Sequence, residues 1–253
     1  MGTEITFSLV DEASFGSIPA PARRGARCQT CDYWERLDGS RDAPSAEATD
    51  APAREDLKLG RLLAGRALAG AYGMLAWRTD GEDRIAVGWA QFGPLSAYPR
   101  ALTIRERYPA LPDVPAPWVI TCLQVVAEAD DRHAVAIGLL NAVGDELDRR
   151  GITAVEAYPE GVADDWSPSP GPSGVYAEAG FERAAGDDRY PVMRRELAGS
   201  AAGVEWGDLL AKARPVEDGG EGWPLPLPKG PSEDDLFRPP PPKPSKPNPF
   251  GDD

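Results

Sequence analysis

The sequence predicts an α/β domain followed by a tail that cannot build a core, and three observations predict it. Residues 118–197 alternate strand, helix and strand patterns. Two further strand-like runs lie upstream, joined by an Asp80-Gly81 turn signal. From Pro215 onward the composition shifts to Pro, Gly, Lys and Asp.

The elements follow in chain order. Residues 4–10 read as a first strand, and 11–53 as a Pro-, Ala- and Ser-rich insert holding the island Cys28-Gln-Thr-Cys-Asp-Tyr-Trp34. Leu57, Leu59, Leu62, Leu63 and Leu68 among charges give a helical reading over 55–68, weakened by Gly60 and Gly65. Strands are expected at 71–78 and 84–92, with Ile85, Val87, Trp89 and Gln91 sharing one face. Residues 118–126 form a nearly continuous apolar, β-branched run, a strand covered on both sides. Val135, Leu139, Val143 and Leu147, beside Ala136 and Leu140, then make a helix stripe, capped by Asp130 or Asp131 and stopped at Gly151. A strand at 153–158, a helix end at Gly180 that turns Phe181 into the core, and a strand at 190–194 complete the domain, with a short helix expected at 205–213. The organisation is thus a strand and Cys-containing insert (1–54), a main domain (55–197), a helical extension (198–214) and a Pro-rich tail (215–253). Pro239 to Pro242 and the prolines after them favour polyproline II, either a solubilising end or a ligand for an aromatic-lined partner groove.

Composition narrows the function classes. The 253 residues, 42% hydrophobic, can bury a sizeable core. The formal charge of −14 opposes nucleic acid and anionic membrane and favours cationic partners such as amines. Neither a basic leader nor an apolar run of membrane-spanning length is visible, so the cytoplasm is the expected location. Three cysteines do not suggest an oxidised framework; Cys28 and Cys31 could bind zinc, act as a dithiol or pack locally, and Cys122 reads as a small buried hydrophobe. His133 is the only histidine, which removes a histidine-rich metal site, and it is expected to face solvent. No metal ligand set is therefore assigned.

Five stretches, in this order, resemble the GNAT superfamily of N-acetyltransferases: Gly88-Trp-Ala-Gln-Phe-Gly-Pro94, the strand and helix at 118–150, Val155-Glu-Ala-Tyr-Pro159, Tyr176-Ala-Glu-Ala-Gly-Phe181 and Pro191-Val-Met-Arg-Arg-Glu-Leu197. The resemblance covers 55–197 and, weakly, the first fifty residues. It implies the acyl-CoA N-acyltransferase fold, a central mixed, mostly antiparallel sheet flanked by helices, and acetyl transfer from acetyl-CoA to a primary amine on a small molecule or protein. It further implies that main-chain groups of Leu123, Gln124, Val125 and Val126 hold the pantetheine arm. The helix start Asp131-Arg132-His133-Ala134-Val135-Ala136 would meet the pyrophosphate, because free amides and the helix dipole favour an anion. Ala136 fits the family pattern, whereas Ala134 replaces its glycine and Asp131 its basic or amide residue. Tyr176 matches a tyrosine that protonates the departing thiolate, and Glu128 or Glu156 would take the amine proton. Gln91 and Tyr98 could orient substrate. The two departures sustain a rival reading, a noncatalytic interaction protein on the same scaffold.

Overall fold

The computed structural model describes residues 4–20, 27–37, 51–66, 70–81, 83–126, 129, 131–160 and 170–199. Glu128, Asp130, the helix expected at 205–213 and the Pro-rich tail lie outside these residues.

Seven strands form one sheet in the order β1-β2-β3-β4-β5-β7-β6. β1 (Glu4–Leu9), β2 (Gly73–Asp80), β3 (Asp83–Pro94) and β4 (Trp118–Val125) pair antiparallel in succession. β5 (Ala154–Ala157) pairs parallel with β4, which requires a crossover, here the 18-residue helix α3 (Arg132–Arg149). β7 (Pro191–Glu196) returns antiparallel beside β5, and β6 (Glu182–Gly186) closes the far edge. This is the mixed, mostly antiparallel sheet flanked by helices that the resemblance implies.

The hydrophobic pattern explains the layering. On one face the stripe Val135, Leu139, Val143 and Leu147 of α3, with Val175 and Tyr176 of α4 (Ser173–Glu178), packs on Ala90, Phe92, Leu123, Val125 and Val155. On the other, Leu62 of α1 (Ala51–Leu63), Ala101 of α2 (Pro99–Arg105) and Trp34 of the insert pack on Leu75, Trp77, Trp89, Val119 and Cys122.

Some boundaries differ from the sequence reading. α1 begins at Ala51 rather than Glu55, since Pro52 is compatible with a first helical turn, so the expected boundary at 54/55 falls inside a helix. It ends at Leu63, short of the expected Leu68. The residues that follow turn at Gly65, where a Cβ would stand 2.5 Å from the Tyr72 ring. α2 and β6 were not expected: α2 has only seven residues, too few to show a period, and Glu182-Arg-Ala-Ala-Gly186 has no alternating apolar face.

Candidate functional site

The pairing between β4 and β5 is short. Trp118, Val119 and Ile120 face Val155, Glu156 and Ala157, and the register stops there. At that point β4 carries a bulge. Gln91 pairs with Cys122 but Phe92 with Ile120, which leaves Thr121 as the extra residue, its hydroxyl donating to the Gln91 carbonyl at 3.4 Å. Beyond the bulge, β4 is bordered by a segment of the loop before α4. Gly171, at φ +86°, lies so close that a Cβ there would stand 3.3 Å from the Leu123 main-chain oxygen. Pro170, Gly171 and Pro172 are all buried.

Tyr176 secures that segment. Its hydroxyl donates to the Pro170 carbonyl at 2.6 Å, its ring meets Phe181 edge to face at 5.3 Å, and the whole side chain is buried. Burial, with the Cys122 thiol nearby, raises its pKa well above the usual 10, so the phenol stays protonated at any ordinary pH. The turn that follows is as read from the sequence, with Gly180 at φ +82° and Phe181 in the core.

The start of α3 is closed on itself. Asp131 caps the helix, its Oδ1 accepting the Ala134 N–H at 2.8 Å. Arg132 Nε donates to the Val125 carbonyl at 2.9 Å, tying the helix to the end of β4. His133, expected to face solvent, is 42% exposed at the side chain, and its Nε2 lies 2.9 Å from Glu178 Oε1, linking α3 to α4, because the crossover brings the first turn of one helix beside the last residues of the other. Val135 and Ala136 are buried on the sheet side, as are Leu123, Gln124 and Val125. Leu123 to Val126 and Asp131 to Ala136 are thus neighbours in space.

Glu156, a candidate base in the sequence, is not accessible to a substrate amine. It is fully buried on β5 and accepts from Arg194 Nη1 at 2.7 Å, Tyr158 Oη at 2.7 Å and Arg105 Nε at 3.1 Å. A carboxylate with two guanidinium partners has no vacancy for a substrate proton; it serves as an anchor for α2 and β7. Burial and the Glu156 charge push the Tyr158 phenol far above its usual range.

A buried polar cluster on the opposite face was not read from the sequence. Lys58 Nζ, 3% exposed, donates to Glu35 Oε1 at 2.6 Å, the Cys31 carbonyl at 2.7 Å and Gln91 Oε1 at 2.8 Å. Gln91 Nε2 donates to Glu35 Oε1 at 2.8 Å and to Tyr98 Oη at 3.3 Å, and Tyr98 donates to the Phe92 carbonyl. Gln91 and Tyr98, the expected substrate-orienting pair, therefore meet, joined by two residues from the insert and α1. The missed signal was spacing: Lys58 stands four residues before the core residue Leu62, whereas Leu57 is 61% exposed. Burial would raise the Glu35 carboxyl, but the Lys58 charge and the hydrogen bonds from Lys58 and Gln91 outweigh it and hold the group below its usual range. Glu35, Gln91 and Tyr98 line a cavity of ≈ 250 Å³ with Arg61 and Ser96. Nearby, Cys28 is buried in the same core as Trp34, and burial pushes its thiol up to about 12.

No protein-family model matches this chain, and neither does any curated protein. Solved structures do. yncA of Salmonella typhimurium, a proposed acetyltransferase with its cofactor acetyl-CoA, is 17% identical over 78% of this chain and 96% of its own, at a TM-score of 0.43. An N-acetyltransferase of Staphylococcus aureus Mu50 is 11% identical over 77% of this chain and 98% of its own, at 0.42. The paiA N-acetyltransferase of Thermoplasma acidophilum, in complex with coenzyme A, is 9% identical over 76% of this chain and 99% of its own, at 0.40. By its own strand order and the parallel pair at β4 and β5, with helices on both faces, the chain has the mixed, mostly antiparallel α/β architecture that the sequence resemblance implies.

Proposed function

We propose that the protein is an N-acyltransferase that moves an acetyl group from acetyl-CoA to a primary amine, acting in the cytoplasm on a small molecule or a protein. The observation that carries this reading is the interrupted β4/β5 pairing. Three parallel pairs end at the Thr121 bulge, and the rest of β4, still paired with β3 on its other edge, runs on toward the start of α3 with no strand on its β5 side among the described residues. Such a strand offers unpaired main-chain groups to an amide-bearing ligand.

The residues present fit the cofactor on these terms. Main-chain groups of Leu123, Gln124, Val125 and Val126 would hold the pantetheine arm. The turn from Asp131 through Arg132, His133, Ala134 and Val135 to Ala136 would meet the pyrophosphate, where the two alanines keep the backbone approachable. Bound acetyl-CoA supplies an activated thioester. The chain's own work would be to orient it and to hold a proton on the Tyr176 oxygen for the departing thiolate. Glu35, Gln91 and Tyr98 border the acceptor. With Glu156 occupied by Arg105 and Arg194, the amine proton falls to Glu128 or to water.

A second reading, a noncatalytic interaction protein with the Pro-rich tail as its partner-binding segment, draws on two contacts. Asp131 already fills the Ala134 amide, and Pro170 already fills the Tyr176 hydroxyl. Calorimetric titration of the full chain with acetyl-CoA separates the readings. Saturable binding, followed by coenzyme A release with an amine acceptor, supports the enzyme. No binding at millimolar cofactor gives the lead to the second.

A further inference from the structure

A cavity of ≈ 420 Å³ lies between the first turns of α3 and the β1 to β3 part of the sheet. Its floor is the sheet: Ile5 and Phe7 of β1, Arg78 of β2 and Val87 of β3. Its roof is helical, formed by Asp131, Ala134, Val135 and Gly138. The volume falls within the range of ordinary small-molecule sites. Gly138 sets its shape, since a Cβ there would stand 2.6 Å from the tip of the Phe7 ring.

Arg78 is the anomaly in this wall. It projects from the face that otherwise carries Met74 and Ala76, directly opposite Ile5 in the β1/β2 register. Its Nε is buried with no hydrogen-bond partner. A buried N–H without an acceptor is destabilising, and Arg78 as a whole is half-buried, so its guanidinium can meet a ligand in the cavity. A bound acceptor group would remove that penalty.

We propose that this cavity is a binding site for an apolar monocarboxylate, its hydrocarbon body against Ile5, Phe7, Val87 and Val135 and its carboxylate on Arg78. Among the described lining residues the other charged one is Asp131, exposed and engaged with the Ala134 amide. Its charge opposes a dianion more than a single carboxylate, which disfavours a phosphate in this place. The floor residues and Arg78 play no part in the acetyl-CoA reading, while the roof shares Asp131, Ala134 and Val135 with the helix start assigned there to the pyrophosphate.

The test is calorimetric titration of the full chain with decanoate, decanol and decylamine. Decanoate should bind saturably at one site, at least tenfold tighter than either uncharged or cationic analogue. Arg78→Met should lower decanoate affinity at least tenfold while leaving the melting temperature of the ligand-free protein equal to or above the parent. Ala134→Leu, which fills the cavity, should weaken all binding. Absence of saturable decanoate binding, equal affinity for decanol, or an Arg78→Met variant within twofold of the parent would each overturn the proposal, whatever acetyl-CoA does.

Discussion

Tyr176 spends its hydroxyl on the main chain of Pro170, six residues earlier, and both ends of that 2.6 Å bond are buried. The bond fixes Gly171 against Leu123, on the stretch of β4 that has no strand partner on its β5 side among the described residues. On the proposed function, the residue that would donate the proton is therefore also the one that holds this segment beside β4.

Tyr176→Phe separates these roles. Removing the hydroxyl leaves the Pro170 carbonyl without its donor, at a cost of about 1–3 kcal/mol by the usual penalty for an unsatisfied buried group. Urea denaturation should show that loss. Loosening the segment should leave acetyl-CoA affinity equal or higher, while turnover falls if the proton matters in the transition state. Unchanged turnover with a working acceptor would remove Tyr176 from the chemistry.

Glu156→Gln tests the anchor assigned to that carboxylate. Two arginines, 7% and 10% exposed at the side chain, would lose their shared counter-charge in the interior. Breaking a buried pair by removing one partner typically costs about 3–5 kcal/mol. The expected result is a poorly stable protein. A variant that stays fully folded and loses only turnover would restore Glu156 as a base.

The Lys58 and Glu35 pair sets opposite pH limits. Glu35 titrates below its usual 4.5, so its contribution is complete above 4.5 and is lost as pH falls through the lower folded value. Lys58 is raised above its usual 10.5: burial would lower it, but the Glu35 charge prevails. Its contribution is complete below 10.5 and lost as pH rises beyond. Glu35→Gln should flatten the acid side of a stability profile measured by denaturant titration between pH 2 and 7. An acid limb identical to the parent's would show that Glu35 is not ionised in the fold.

Elements that bury a full stripe were legible in the sequence, and sites built from isolated polar residues were not. The α3 stripe and the β4 run could be read because each repeats one chemical type at the period of its element. Tyr176 and Asp131 were found by their neighbours in a short word, yet the word says nothing of which atom each would bind. The Lys58, Glu35, Gln91 and Tyr98 cluster joins an insert, a helix, a strand and a turn, so no window of sequence contains it. Arg78 was hidden for the opposite reason. On a strand next to the sheet edge, an arginine reads as solvated until the helix above it is placed.

Asp131 gives the sharpest test of the cofactor reading, because its two effects can be separated by one atom. As an N-cap its Oδ1 holds the Ala134 amide, and as a charge it repels any phosphate brought to the same turn. Asparagine caps about as well as aspartate, so Asp131→Asn should leave the melting curve near the parent's, whereas alanine would cost about 0.5–2 kcal/mol. Removing one unit of repulsion at a few ångströms of partly screened separation is worth about 1–2 kcal/mol, or about tenfold in the dissociation constant for acetyl-CoA. Asp131→Arg should gain as much or more in affinity but lose the cap. Both gains should shrink as salt rises, since Asp131 is exposed and exposed charges are screened. Calorimetry at low and high salt checks both. If Asp131→Asn folds normally and binds acetyl-CoA no better than the parent, no pyrophosphate sits at this helix start, and the interaction-protein reading takes precedence.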